Sequence, residues 1–207
     1  MTIHLHEGDL PRGVDLGPVI AVDTETMGLN TPRDRLCLVQ MTGGDGDDAH
    51  LVRLRQQERP YTAPNLVGQL GDPNRLKIFH FARFDMAALK YWMDLDCGPV
   101  YCTKIASKLA RTYTDRHGLA DLCREFLGLD LSKQQQSSDW GSELLTEAQL
   151  TYAAADVQHL HALKERLDGM LVREDRDALA QACFDFLPHR VALDLAGFSQ
   201  GDDIFQH

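Results

Sequence analysis

Apolar runs separated by polar breakers predict five strands in the first half of the chain. The first run, at about 19–25, is continuously apolar before it ends in a polar step. That pattern is typical of a buried strand whose far end meets solvent. Similar runs predict strands at about 35–42, 49–54, 76–81 and 99–103. Residues 1–18, which contain several glycines and prolines, are predicted to be an irregular lead-in.

Apolar residues three and four positions apart predict helices, which dominate the second half. The predicted helices lie at about 64–70, 83–95, 105–113, 119–128, 146–167 and 169–187. Strands that first follow one another, then alternate with helices, indicate an α/β domain with a mixed five-stranded sheet flanked by helices. We expect this domain to cover residues 1–187, with 188–207 as a C-terminal tail.

Composition places the chain among ordinary globular proteins. Of its 207 residues, 43% are apolar and 25% are charged. The five cysteines form no Cys-x-x-Cys pair, so a reduced, cytoplasmic protein is expected. The N-terminus is polar and no apolar run is long enough for a bilayer, so we expect neither a signal peptide nor a membrane partner.

The net charge of −10 argues against a general nucleic-acid binder, which would usually be basic. Half of this excess lies in residues 168–207, which hold eight acidic residues and three arginines. Bound divalent ions would offset part of the remainder. An enzyme that grips a short, lightly charged substrate needs no broad basic surface.

Two carboxylates end the first predicted strand. Asp23 and Glu25 are two positions apart, so they point to the same face of the strand. Their mutual repulsion would raise the pKa of at least one of them unless a cation lies between them. Mg²⁺ and Mn²⁺ prefer carboxylate oxygens, so this pair fits half of a metal site. A strand that simply ends in a polar turn is the equally open alternative.

Three further residues extend this candidate site. Asp85 begins the helix after the fourth strand, where open α/β sheets form their sites. Tyr152 and Asp156 are four apart on one edge of a long helix, beside small alanines. Taken singly, Asp85 fits a helix-start acid and Asp156 a solvated position. Taken together, four acids and a tyrosine fit two divalent ions that promote in-line displacement at phosphorus, with Tyr152 orienting the water.

The motifs, taken in order, resemble the DEDD superfamily of 3′→5′ exonucleases, in the tyrosine branch and specifically ribonuclease D. The three motifs are Val22-Asp23-Thr24-Glu25, residues 77–89 and Tyr152-Ala153-Ala154-Ala155-Asp156. Residues 118–122 and 133–140 also resemble ribonuclease D, so the match spans about 19–167. The sister branch has a histidine five residues before the last aspartate, where this chain has Thr151.

This resemblance implies a ribonuclease-H-like fold, two Mg²⁺ or Mn²⁺ ions and release of 5′-nucleoside monophosphates from a 3′ end. Asp23, Glu25, Asp85 and Asp156 match the metal ligands, and Tyr152 matches the residue that positions the water. Relatives often carry an arginine directly after the Asp-Trp pair, but here Gly141 follows Trp140.

The short C-terminal part resembles the stand-alone relatives called nanoRNase C. About forty residues follow the last motif, too few for the helical RNA-binding (HRDC) domain of ribonuclease D. The stand-alone relatives degrade diribonucleotides and assemble as rings, which implies a homo-oligomer such as an octameric ring. Leu29 matches a leucine that wedges between two bases in short-RNA nucleases of this superfamily. The alternative for Leu29 is a turn residue that covers the core.

The resulting hypothesis is a metal-dependent 3′→5′ exoribonuclease that prefers very short RNA. The expected substrate contacts are Thr24, Thr26, Leu29, His80, Arg83, Lys133, Gln136 and Ser138. The alternatives are trimming of longer structured RNA 3′ ends, a 3′→5′ DNA exonuclease, and a catalytically dead nucleic-acid-binding module.

Overall fold

One mixed sheet of six strands forms the centre of the protein, in the order β1-β4-β3-β2-β5-β6. A computed structural model describes residues 2–132, 134–198 and 204. The strands are β1 (Ile3–Glu7), β2 (Val19–Thr26), β3 (Leu36–Thr42), β4 (Ala49–Arg53), β5 (Leu76–Phe79) and β6 (Val100–Cys102). Only β3 runs antiparallel to its neighbours within this sheet. The carboxyl ends of β2 and β5 therefore lie at the same edge.

Helices cover both faces of the sheet. They are α1 (Pro64–Leu70), α2 (Ala82–Met93), α3 (Thr103–Ala110), α4 (Leu119–Leu127), α5 (Glu147–Gln158), α6 (Leu160–Arg173) and α7 (Asp177–Leu195). A smaller apolar core, which includes Leu38, Leu51 and Ala153, joins α5 to β3 and β4. The larger core includes residues of β2 to β6 and of all seven helices. The predicted α/β class with a mixed sheet is confirmed.

The prediction of five strands was wrong, because the lead-in contains a sixth. Residues Ile3–Glu7 form β1 at the edge of the sheet, where they pair in parallel with Ala49–Arg53. This strand is short, and two of its five side chains are histidines, so its apolar signal is weak. A parallel partner more than forty residues away also leaves no local hairpin signal.

The single helix predicted at 146–167 is in fact two helices that meet at His159. The first packs on β2, β3 and β4, whereas the second packs mainly on α3 and also touches α4, α7 and β5. No glycine or proline marks the change of direction, so apolar periodicity alone predicts one continuous helix. Thr146 caps α5, since its side chain accepts a hydrogen bond from the Gln149 amide.

The last helix runs from Asp177 to Leu195 rather than over 169–187. The preceding helix ends at Arg173, and Asp175 follows it in the left-handed conformation, with φ of 54°. Pro188 lies inside α7 instead of ending it. A proline inside a helix costs about 3 kcal/mol, and the burial of Leu187 and Val191 on either side offsets that cost. The division at 187/188 stays a prediction, although α7 crosses it.

No helix in the described part of the chain is long and apolar enough to cross a bilayer.

Candidate active site

Four buried or half-buried acids gather where β2 ends. Oxygen atoms of Asp23, Glu25 and Asp156 all lie within 4.8 Å of one another. Asp85 is buried beside them and accepts a 2.7 Å hydrogen bond from the Thr24 hydroxyl, which lies between the two strand acids in sequence. The structure thus brings together a strand end, the first turn of α2 and one edge of α5.

The turn after β2 presents Leu29 to solvent. The pairing of β2 with β3 shifts register between Glu25 and Thr26, so the strand is irregular just before it ends at Thr26. Asp34 accepts a 2.9 Å hydrogen bond from the Asn30 amide and closes the turn. A Cβ atom at Gly28 would lie 2.8 Å from Cγ of Asp34, so only glycine fits. Leu29, next to it, has an exposed fraction of 86%.

Phe81, the residue directly before α2, has a strained backbone conformation. Phe81 has φ of 73°, which is uncommon for a residue with a bulky side chain. Its carbonyl accepts a hydrogen bond from the Phe84 amide at 3.1 Å, which closes the turn. Strain of this kind persists where the surroundings over-determine it, often at functional sites. Here it places His80 and Asp85 on the same cleft.

Burial and mutual repulsion disfavour the charged forms of all four acids in the metal-free protein. Burial, and then the charge of Asp85, raises the pKa of Asp23 well above its usual value. Burial, and then the charge of Asp156, raises the pKa of Glu25 to about 9. Burial raises the pKa of Asp85 and the pKa of Asp156 to about 7. A hydrogen bond from Thr24 partly opposes this rise at Asp85, and one from Tyr152 partly opposes it at Asp156.

The donor set fits divalent ions. Within the described residues, none of the four acids forms an ion pair with lysine, arginine or histidine. Uncompensated charge at such burial is costly. Carboxylate oxygens alone are the ligands that hard cations such as Mg²⁺ or Mn²⁺ prefer. The arrangement is therefore chemically suited to a pair of such ions.

We expect the metal-free protein to lose stability as pH rises from about 5 to about 9. The acids have unfolded pKa values near 4, whereas burial raises the folded values of Asp85 and Asp156 to about 7 and that of Glu25 to about 9. The native state then binds more protons than the unfolded state, so the free energy of unfolding falls by about 1.4 kcal/mol per pH unit for each titrating group.

Calorimetry in EDTA measures this slope. Glu25→Gln is expected to flatten the upper part of the slope, because the pKa of Glu25, about 9, lies above those of Asp85 and Asp156, about 7. Added Mg²⁺ is expected to restore the melting temperature at high pH. A melting temperature that stays constant or rises over this range would contradict the account.

Tyr152 borders the acids on the face of α5 that meets the sheet. Its ring lies 6.1 Å from that of Trp140, which is buried in the smaller core. Burial, and then the charges of Asp156 and Glu25, raise the pKa of the Tyr152 phenol far above its usual value. The hydroxyl is therefore protonated at neutral pH and acts as a hydrogen-bonding group.

Three arginines in or beside strands β3 and β4 hold the loop that follows Trp140. Arg35 donates to the Gly141 carbonyl at 3.4 Å, Arg53 donates to the Ser142 carbonyl, and Arg55 donates to the Glu143 carbonyl at 3.1 Å. Gly141, directly after Trp140, contributes no side chain to this loop. In this chain, three guanidinium groups from elsewhere in the sequence stabilise the loop and with it Trp140.

Sequence reasoning missed Gln40. This residue lies opposite Asp23 in the antiparallel β2–β3 pair, and its side-chain amide donates to Asp23 Oδ2 at 2.9 Å. Its own Oε1 is buried and has no hydrogen-bond donor in the described structure. A glutamine within the otherwise apolar run from Leu36 to Met41 was the available signal.

A cleft of about 760 Å³ surrounds the acids. Eleven of the thirteen predicted site residues line it: Asp23, Thr24, Glu25, Thr26, Leu29, His80, Asp85, Gln136, Ser138, Tyr152 and Asp156. Arg83 does not line it, because its guanidinium pairs with Asp194 of α7. Lys133 lies outside the described residues.

Lys104 also lines the cleft, although it is not among the predicted site residues. Its ammonium group lies 4.1 Å from the centre of the Phe81 ring. The neighbouring His80 is neutral, because burial, and then the charge of Lys104, lowers its pKa to about 3. Nδ1 of His80 shares a 2.9 Å hydrogen bond with the Thr103 hydroxyl, which fixes the ring at the cleft wall.

Sequence comparison matches residues 10–172 to the 3′-5′ exonuclease family. Ribonuclease D of Gluconacetobacter diazotrophicus is 33% identical over 159 residues, which cover 77% of this chain and 39% of that protein. The chain thus spans about two fifths of the length of such curated relatives.

Comparison of structures gives a match over the whole chain. NrnC of Brucella melitensis is 52% identical, with a TM-score of 0.94 and coverage of 100% of this chain and 98% of that one. Structures of the same Brucella protein bound to pGG and with bound Mg²⁺ match equally closely, with TM-scores of 0.94 and 0.93. Ribonuclease D of Escherichia coli is 25% identical, with a TM-score of 0.72, over 84% of this chain and 45% of that one.

Proposed function

The chain belongs to the 3′-5′ exonuclease family, as a ribonuclease D-like member of the NrnC type, and from that premise we propose that it is a metal-dependent 3′→5′ exoribonuclease acting on very short RNA. The observation that carries this proposal is the four-acid cluster at the base of an open cleft, with an exposed leucine at its rim. The products would be 5′-nucleoside monophosphates.

The proposed metal ligands are Asp23, Glu25, Asp85 and Asp156. Two bound divalent ions would supply an activated water, neutralise phosphate charge and stabilise the leaving oxygen. A structure of Brucella NrnC with bound Mg²⁺ supports this choice of cofactor, at 50% identity over the whole chain. Gln40 and Thr24 orient two of the carboxylates, because they hydrogen bond to Asp23 and Asp85 respectively.

Tyr152 is proposed to position the attacking water. Its hydroxyl borders both Asp156 and the cleft, and its protonated state allows it to donate or accept one hydrogen bond. Trp140 packs near its ring and limits its rotation. A water fixed beside the scissile phosphate needs less reorganisation to reach the transition state.

The proposal of a short RNA substrate rests on Leu29 and on the Brucella relative bound to pGG. An apolar side chain that is 86% exposed at a cleft gains roughly 1.5–3 kcal/mol when a partner buries it. A nucleobase supplies a flat apolar face for that purpose. A leucine wedged between two bases would supply a large share of the binding energy of a dinucleotide, because a dinucleotide has no further nucleotides that could contact the protein.

We expect Leu29→Ala to reduce selection for dinucleotides. The substitution removes the apolar contact with the bases, so kcat/KM for a 2-mer RNA should fall about ten-fold. That change is about 1.4 kcal/mol, which lies within the range of about 1–3 kcal/mol for a small change in apolar contact. The value for a 20-mer should change less. Leu144→Ala is the matched control, because Leu144 is also strongly exposed, at 80%, but does not line the cleft.

Equal losses on the 2-mer and the 20-mer would contradict the role of Leu29 in length selection. A loss in the Leu144→Ala control would instead indicate a general effect on the fold. The homo-oligomer stays a prediction, which light scattering on the purified protein tests.

A further inference from the structure

Three histidines lie side by side at the outer edge of the sheet. His4 and His6 come from β1 and His50 comes from β4, where it pairs directly with His4. The ring of His50 stacks at 5.1 Å on His4 and at 5.3 Å on His6. Asp48 directly precedes β4, and its carboxylate forms a hydrogen bond with the His4 ring. The exonuclease chemistry uses none of these side chains.

This histidine cluster lies on the opposite face of the sheet from the acid cluster. His50 pairs with Met41 of β3, and Met41 pairs with Val22 of β2, so the histidines share the face of Val22. Asp23 is the next residue along β2 and therefore points to the other face. The two clusters are separate sites.

Potential ligand atoms are already close together in pairs. Nε2 of His6 lies 3.0 Å from Nδ1 of His50, and Nε2 of His4 lies 2.9 Å from Oδ2 of Asp48. Two ligands on a tetrahedral ion with bonds of 2.0–2.1 Å are about 3.3 Å apart. Each pair has the spacing of two ligands on one ion, but in the described structure no three of these residues offer ligand atoms within 4.8 Å of one another, so the two pairs must move together to share an ion. The His4 side chain is 40% exposed, and its rotation toward the other two histidines would bring the pairs together.

The protonation state of the cluster also favours binding. Burial, and then the charge of a neighbouring imidazole, lowers the pKa of both His6 and His50. Both rings are neutral at pH 7, and a neutral imidazole carries the lone pair that a metal requires. No lysine or arginine forms an ion pair with Asp48 in the described structure, so its carboxylate is available as a further ligand.

We propose that His4, His6 and His50, with Asp48, bind one divalent transition-metal ion of the Zn²⁺ class. Imidazole nitrogen suits Zn²⁺, Cu²⁺ and Ni²⁺, whereas the all-oxygen acid cluster suits Mg²⁺ and Mn²⁺, so each site selects a different ion. The bound ion links the edge strand β1 to β4. Because it binds the folded chain, it raises the melting temperature.

Calorimetric titration of the untagged, full-length protein with ZnCl₂ in excess MgCl₂ tests this site. The excess Mg²⁺ occupies the acid cluster and keeps Zn²⁺ out of it. Under these conditions the wild-type chain should still bind one Zn²⁺. His50→Gln and His4→Gln should each weaken that binding at least about ten-fold, since even outer partners of a metal site contribute that much. His189→Gln, an exposed histidine on α7, is the matched control and should bind as the wild type does.

Melting curves give an independent readout. Zn²⁺ should raise the melting temperature of the wild type and of the His189→Gln control, but not that of His50→Gln. The proposal is overturned if the wild type binds no Zn²⁺ under these conditions, or if both cluster variants bind it as tightly as the wild type. Folding of the variants is checked by their melting temperatures without Zn²⁺. The result does not depend on nuclease activity, so either proposal can fail alone.

Discussion

Asp156→Asn is expected to abolish turnover in Mg²⁺ and, at the same time, to stabilise the metal-free protein at pH 8. Asp156 lies in the cluster whose oxygens are within 4.8 Å of one another, so its loss removes a proposed metal ligand and one negative charge. Burial raises the pKa of Asp156 to about 7. Above that pH its charge destabilises the folded state, and asparagine has no such charge.

Two measurements separate this outcome from simple misfolding. Turnover of a labelled 2-mer should fall below detection, whereas the melting temperature in EDTA at pH 8 should rise. The increase in melting temperature on adding Mg²⁺ should become smaller. Asp185→Asn on α7 is the control, because that exposed aspartate only accepts a 2.8 Å hydrogen bond from Gln181. Turnover by Asp156→Asn at the wild-type rate would rule out the assigned metal site.

Tyr152→Phe should slow the chemical step roughly 10²–10⁴-fold, the range for a positioned group that handles a proton. The phenyl ring still packs near Trp140, so the fold is preserved and only the hydroxyl is lost. The loss should be in kcat rather than in KM, because the proposed role of the hydroxyl is to position the water rather than to bind the nucleotide. The affinity for Mg²⁺ should stay close to that of the wild type.

Single-turnover kinetics in Mg²⁺ measures this effect without interference from product release. Tyr113→Phe is the matched control, because its exposed hydroxyl donates to Glu125 at 2.9 Å, away from the acids. A near-wild-type rate for Tyr152→Phe would show that another group orients the water.

Local patterns in the sequence marked the candidate acids. Asp23 and Glu25 end an apolar run, and Asp85 lies in the first turn of a helix that follows a strand. Their grouping with Asp156 was a hypothesis, since their proximity depends on strand order, and the resemblance to ribonuclease D supported it. The likeness to ribonuclease D and to NrnC confirms that family and the ribonuclease-H-like fold.

Features that depend on tertiary packing could not be predicted from the sequence. Arg83 carries a charge suited to phosphate, but its partner is Asp194, more than one hundred residues away. The break at His159 separates α5, which packs on β2, β3 and β4, from α6, which packs mainly on α3. The strand Ile3–Glu7 exists because distant β4 pairs with it. No local sequence pattern predicts any of these three contacts.

The most direct test of the central claim is a time course of 2-mer and 20-mer RNA hydrolysis, started by Mg²⁺, with products separated by chromatography. The proposed function predicts 5′-nucleoside monophosphates as products, a higher rate on the 2-mer and complete arrest by EDTA. Degradation of the 20-mer as fast as the 2-mer would contradict the preference for short RNA. Hydrolysis that continues in EDTA would contradict catalysis by metal ions at the acid cluster.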